Sequence, residues 1–269
     1  MDPDTAQRPI GVIVAMEAEL VHLLRLADSV EERSDGIWRF RSLSIGGRRA
    51  VALCCGMGTV NAAAGTERLI AAHDPSVILN FGCSGAHRRE IMPGDVMIAD
   101  RVVLHSAMRV LADGSERHTG SGYEVAGEQM NRADLPADPT LLATATRLAS
   151  SFPFKPWPIA AGWPGGAPHR APVAHVGAVA SADIWTQWTA RLDVLHARHG
   201  SLCEDMEAAA IAQIAARHGT PFLSVKDISN NEYLKESDLA GFADFPVAEI
   251  GKRAAALIHA VILHLDAPS

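Results

Sequence analysis

Short β-branched runs alternate with Ala-rich or amphipathic ones from Ile10 to Leu265. That alternation predicts an α/β fold, a three-layer sandwich with helices flanking a central mixed β-sheet. Two further observations agree. The 269 residues, nearly half of them hydrophobic, are ample for a substantial core. No internal repeat or clean linker divides them, so residues 1–269 read as one domain.

The elements follow in order. Ile10–Ala15 is a short apolar strand, and Glu17–Ala27 after it is amphipathic. Trp38–Ile45 and Arg48–Cys55 flank Gly46-Gly47, a hairpin signal. Gly56–Gly58 opens a helix over Val60–His73. Ser76–Ala86 is a buried strand ending in small residues, Gly94–His105 another strand and Leu141–Ser150 a helix. Val173–Ser181 is again a strand, Ala208–Arg217 a central helix and Thr220–Ser229 the last strand, before a long apolar helix over Val247–Leu265. One segment breaks the pattern. Phe152 to Pro172 holds six prolines with Trp157, Trp163, Gly162, Gly165 and Gly166, and cannot be regular. A Pro-rich stretch at about 152–172 is either a functional surface loop or a plain insertion.

Composition narrows the partners. A net charge of −7 argues against nucleic acid, which calls for a basic face. No apolar run approaches the ~18 residues that span a bilayer. The N-terminal MDPDTAQRPIG lacks a basic-then-apolar signal, so no membrane contact and a cytoplasmic location are expected. Cys54, Cys55, Cys83 and Cys203 show no C-x-x-C spacing and read as buried reduced thiols, neither disulfides nor zinc ligands. The histidines are scattered, so no metal is expected; nor is any other cofactor, since neither a phosphate loop nor a G-x-S-x-G elbow is present.

The run CEDMEAAAIA, Cys203 to Ala212, carries the most information. Glu204, Asp205 and Glu207 stand at the mouth of an apolar helix. Buried carboxylates need partners, so they point to a polar ligand; acids at a helix N-terminus are also what the macrodipole favours by itself. Ligands of open α/β sheets bind at the carboxyl ends of strands. There the chain places Met16, Glu17 and Glu19, then Gly56-Met57-Gly58, then Gly82-Cys83-Ser84-Gly85. Ser181, Asp183 and Trp185 follow, with the Glu204–Glu207 acids, Ser229 and Asn230. Small residues admit a ligand close to backbone, acids grip hydroxyls and an aromatic stacks on a flat ring. The combination suits a sugar attached to a heterocycle.

GVIVAMEAEL (11–20), CGMGTVNAAAGTERLI (55–70), ILNFGCSGA (78–86), MPGDVMIAD (92–100), VASADIWTQ (179–187), CEDMEAAAIA and VKDISN (225–230) stand in an order that resembles the 5′-methylthioadenosine/S-adenosylhomocysteine nucleosidases of the nucleoside phosphorylase superfamily. The resemblance implies a partly barrel-like sheet, a homodimer, for which the helix from Val60 to Ala72 is a candidate surface, and hydrolysis of a purine nucleoside. By that resemblance Glu19 activates the attacking water. Glu207 holds the ribose 2′- and 3′-hydroxyls, with Met206 under the sugar and Met57 lining its pocket. Trp185 takes the place of a ring-stacking Phe, and the backbone near Thr186 reads the base edge. Cys83, Ser84 and Gly85 match the stretch around the water, and Met16 lies in the A-M-E-x-E motif with Glu19. The reaction passes through an oxocarbenium-like ribose, a carboxylate can take a proton from water, and hydroxyl bonds to Glu207 are charge-assisted.

The chain departs from the family at Asn230, where an acid follows I-S, and more mildly at Asp205, where Glu is usual. An amide donates a hydrogen bond to purine N7 but not a proton, so better use of 6-oxopurine nucleosides is expected. Two other readings stay open. One is phosphorolysis on the same fold, for which Arg88 and Arg89 would have to supply the cations that Glu17 and Glu19 do not. The other is a non-catalytic nucleoside-binding protein.

Overall fold

The computed structural model describes residues 8–235 and 246–265. β1 (Ile10–Val14) leads into α1 (Glu17–Leu24), then β2 (Ser29–Asp35), β3 (Trp38–Ile45), β4 (Arg48–Cys54) and α2 (Thr59–His73). β5 (Val77–Ala86) and β6 (Val96–Leu104) follow, with two small hairpins: β7 (Met108–Val110) with β8 (Glu116–His118), and β9 (Ser121–Val125) with β10 (Glu128–Arg132). Next come β11 (Leu135–Pro136), α3 (Pro139–Ala149), β12 (Ala174–Ser181), α4 (Thr189–His199) and β13 (Ser201–Asp205). α5 (Ala208–Arg217), β14 (Phe222–Asn230) and α6 (Lys252–His264) complete the order.

Local chemistry accounts for the boundaries. Ile45 pairs with Arg48 across Gly46 and Gly47, both at positive φ (56° and 76°), the conformation that a two-residue hairpin turn requires. At α3 the Asp138 side chain accepts from the N–H groups of Thr140 and Leu141, with Pro139 in the first turn where its missing N–H is harmless. The last helix starts at Lys252, five residues later than the apolar run predicts. Gly251 sits at φ 71°, and the buried Asp227 of β14 accepts from the N–H groups of Gly251 and Arg253 at 2.8 and 3.0 Å, so the cap comes from the sheet.

The sheet is mixed and curls on itself. β6, β12, β13, β5 and β14 pair in sequence, and β14 returns to β6, closing a ring; β1, β4, β3 and β2 extend from β5 as an arm. β1, β4, β5 and β14 run parallel, as do β6, β12 and β13. β13 meets β5 antiparallel, Cys203 opposite Ala86 and Glu204 opposite Gly85, so the carboxyl ends of both strands come together. One apolar layer packs α1, α3 and α6 on the sheet through Leu20, Leu23, Leu141, Ala145, Leu257 and Val261. The other packs α2 and α5 through Ala62, Leu69, Ile70, Ile211 and Ala215. No helix among the described residues is long and apolar enough to cross a membrane.

The Pro-rich stretch is irregular apart from one short turn at Ile159–Ala161, but it is firmly fixed. Trp157 is fully buried under the Arg253 guanidinium, 4.9 Å from its ring centroid, and Arg253 donates to the carbonyls of Lys155 and Pro156. Arg170 ties the far end to the buried Asp95 at 2.6 Å. It is a strap over the β14–α6 corner.

Candidate active site

The expected strand ends converge at one mouth of the ring. Glu19 is the third residue of α1, where its Oε2 accepts from the N–H of Met16 at 3.1 Å, a reciprocal cap. Its Oε1 accepts from the N–H of Cys83 on β5 at 2.8 Å. The side chain is buried, and burial raises its pKa above the ordinary carboxylate value, with the nearby Lys226 ammonium opposing. Gly82 makes room for it: a Cβ there would lie 2.6 Å from Oε1. The A-M-E-x-E motif thus builds a carboxylate pinned by two backbone donors.

Three acids share one cation. Lys226 of β14 is buried and donates to Asp205 Oδ2 at 2.7 Å, and the same oxygen caps α5 at Ala208 N–H. Burial pushes the ammonium pKa down, but Asp205, Glu207 and Glu19 together hold it above its ordinary value. Glu207 stands at the start of α5 and accepts from the N–H of Gly58 at 2.8 Å. Gly58 needs its φ of 95° to present that N–H, which favours glycine. Burial, then the charge of Asp205, raises the Glu207 pKa. Asp183 accepts from Thr59 N–H and hydroxyl, both at 2.6 Å, joining the loop after β12 to the start of α2. Met206 and Met16 are half-buried at this mouth and Met57 is mostly exposed beside it.

The other half of the mouth carries amide and aromatic groups. Asn230 ends β14, its Oδ1 accepting from the Ser229 hydroxyl at 2.7 Å and its Nδ2 donating to Glu232 at 2.8 Å, so the amide orientation is set. Trp185 is half-buried in the loop after β12. The N–H of Thr186 donates to Glu204 Oε1 at 2.7 Å. Ser84 is buried within β5, whereas Cys83 and Gly85 are partly open. Arg88 reaches Glu90, and Arg89 lies over the Tyr233 ring.

Sequence reasoning brought Glu19, Glu207, Asp205 and Asn230 to one place but missed Lys226. Its signal was present, a lone cation inside the apolar run TPFLSVKDIS. It also put Glu204 and Asp205 on a helix mouth, whereas both end the short strand β13. The His87–Glu204 pair had no local signal, because the two residues are 117 positions apart.

A clasped carboxylate, a second buried carboxylate and a fixed amide thus meet at one mouth of the ring. The chain belongs to the phosphorylase superfamily, whose sequence profile matches residues 9–264. A 5′-methylthioadenosine/S-adenosylhomocysteine nucleosidase of Marinomonas sp. (strain MWYL1) is 29% identical over 222 residues, covering 82% of this chain and 85% of the relative. One from Chromohalobacter salexigens is 28% identical over 263 residues, 97% of this chain and 100% of the relative. The Neisseria meningitidis enzyme of that name, solved with methylthio-immucillin-A, has a TM-score of 0.74 at 24% identity over 96% of this chain and 100% of its own. Futalosine hydrolase of Helicobacter pylori has a TM-score of 0.75 at 19% identity over 96% and 98%. These two structures share the fold.

Proposed function

We propose that this chain hydrolyses the N-glycosidic bond of purine ribosides and thioribosides and releases the free base, with Glu19 as the base that activates water. The carrying observation is the clasp on Glu19. Backbone N–H groups of Met16 and Cys83 hold its two oxygens at the mouth of the ring, beside Glu207. Water attacks C1′ and gives a proton to Glu19; the electron pair of the C–N bond leaves with the base, which takes a proton from bulk water as Glu19 returns its own to solvent. Glu207 accepts from ribose hydroxyls, Met206 and Met57 line the sugar, and Trp185 stacks on the base. Asn230 donates to N7. Curated relatives carry 5′-methylthioadenosine and S-adenosylhomocysteine in their names, so these two and inosine are the first substrates to assay.

The deciding experiment replaces phosphate buffer by a phosphate-free one. Unchanged turnover with free sugar as product is the expected result. A strict phosphate requirement with sugar 1-phosphate as product refutes hydrolysis, and binding without turnover in either buffer leaves a nucleoside-binding protein. The reading also includes a cytoplasmic homodimer. Cys54, Cys55, Cys83 and Cys203 are all free, as a reducing compartment keeps them, and the outer side of α2 exposes Val60. A monomer in sedimentation would remove the dimer.

A further inference from the structure

Glu204, Gly85 and Asn230 form one row across three strands. Glu204 of β13 is registered with Gly85 of β5, and Gly85 with Asn230 of β14. The outer two Cα atoms are therefore two interstrand steps apart, about 10 Å. Registered residues point to the same side of a sheet, and the direction a Gly85 Cβ would take leads to the Asn230 amide, 3.3 Å away. Gly85 has no side chain and is partly open, which leaves a slot floored by backbone between a carboxylate and an amide. The Trp185–Thr186 segment borders the slot, since Thr186 N–H donates to Glu204.

Glu204 is buried and firmly held. Oε1 takes the Thr186 N–H at 2.7 Å and Oε2 meets His87 Nε2 at 3.3 Å, while His87 Nδ1 lies 2.9 Å from the Ser201 hydroxyl. An ionised carboxylate has about four acceptor positions, so two remain for a ligand. The Thr186 hydroxyl is buried without a hydrogen-bond partner among the described residues, a second polar group at this edge. A carboxylate at the edge of such a slot accepts hydrogen bonds and repels lone pairs.

Building on the nucleosidase reading, we propose that Glu204 is a specificity-determining residue: it accepts the N1–H of a 6-oxopurine and disfavours adenine. In a 6-oxopurine N1 carries a hydrogen and O6 is an acceptor. Glu204 takes the first, and the second N–H of Asn230 Nδ2 serves the N7/O6 edge. Adenine presents a bare lone pair at N1. The backbone donor that could have met that lone pair, Thr186 N–H, is already spent on Glu204. The Glu204 carboxylate and the Asn230 amide then act together, one at each end of the ring.

The test is calorimetric titration of free hypoxanthine, 1-methylhypoxanthine and adenine into the wild-type protein and Glu204→Gln, with inosine and adenosine turnover measured alongside. Wild type should bind hypoxanthine about 10- to 100-fold more tightly than adenine, the range for one hydrogen bond to a charged group. 1-Methylhypoxanthine, which lacks the N1–H, should bind as weakly as adenine, and that comparison needs no variant. Glu204→Gln, whose amide can donate to a bare N1, should cancel or reverse the preference. Equal or tighter binding of adenine by wild type, an unchanged ratio in Glu204→Gln, or no binding of either base overturns the inference. Discrimination between bases without turnover of either nucleoside would overturn the hydrolysis reading and leave Glu204 as the selector; turnover of both without discrimination does the reverse.

Discussion

Replacing Glu19 by Gln separates its chemical role from its structural one. Both carboxylate oxygens are acceptors, Oε2 for Met16 N–H at 3.1 Å and Oε1 for Cys83 N–H at 2.8 Å. A glutamine keeps the outline but has one acceptor oxygen, so its NH₂ must face one of those donors. An orphaned buried N–H costs about 1–3 kcal/mol. Removing a carboxylate whose pKa burial has raised returns part of that, because the charged form was itself disfavoured there. At about 2–4 °C per kcal/mol for a chain of this size, the melting temperature should fall by about 2–12 °C before that offset, and by less after it. Turnover should fall far more. Loss of a general base costs about 10²–10⁴-fold, some 3–5 kcal/mol of barrier. The assay is free-base release at saturating nucleoside, with a thermal melt and nucleoside titration on the same preparation. A variant that melts near wild type, binds nucleoside and retains turnover within about tenfold of wild type refutes Glu19 as the base.

The remaining predictions concern charge. Glu19 and Glu207 act ionised and both have raised pKa values, so kcat/KM should rise with pH through a limb lying above the ordinary carboxylate value of 4.5. Stability runs the other way: in that window the folded state binds more protons than the unfolded, so stability falls as pH rises. A pH–rate profile beside denaturation curves checks both signs, and an acid limb at the ordinary value contradicts the assignment. Lys226→Met strands Asp205 as a buried carboxylate and should cost about 3–5 kcal/mol in chemical denaturation; a near-neutral result would mean that Asp205 is not held as an ion.

How much of this was legible depended on how far each feature looks along the chain. β1, β3, β4, β5 and β12 lie within a residue or two of the predicted runs, because buried strands must be apolar and β-branched. Glu19 was legible because its motif is local, a carboxylate three residues after the cap it serves. β2 was not: every residue of Ser29–Asp35 is exposed, so it lacks an apolar face to betray it. The β7–β10 hairpins are similarly polar, and α4 buries only Leu192 and Leu195. β13 was hidden by its function, since acids at a strand end look the same in sequence as acids capping the next helix. Trp157 under Arg253 and Thr186 against Glu204 join residues from separate elements, and no local pattern encodes such pairs.

The charges of the site also weigh on the choice of nucleophile. Lys226 donates to Asp205 at 2.7 Å and is the one cation that Glu19 and Glu207 share with it, so three carboxylates stand against a single ammonium. Burial raises the pKa of both glutamates, and at Glu207 the neighbouring Asp205 and Glu19 charges add to it. A neutral ground-state ribose gains little from that negative charge. An oxocarbenium-like ribose gains much, because its positive charge develops where the negative charge already stands, and interactions stronger in the transition state are those that accelerate. A phosphate dianion meets the same field with the opposite sign. At an effective dielectric of about 20, each unit-charge pair about 4 Å apart contributes roughly 4 kcal/mol of repulsion. Arg88 does not offset this, since Glu90 occupies its guanidinium. A neutral water carries no such penalty and finds its base already positioned, so the charge balance that favours a cationic sugar also favours hydrolysis over phosphorolysis.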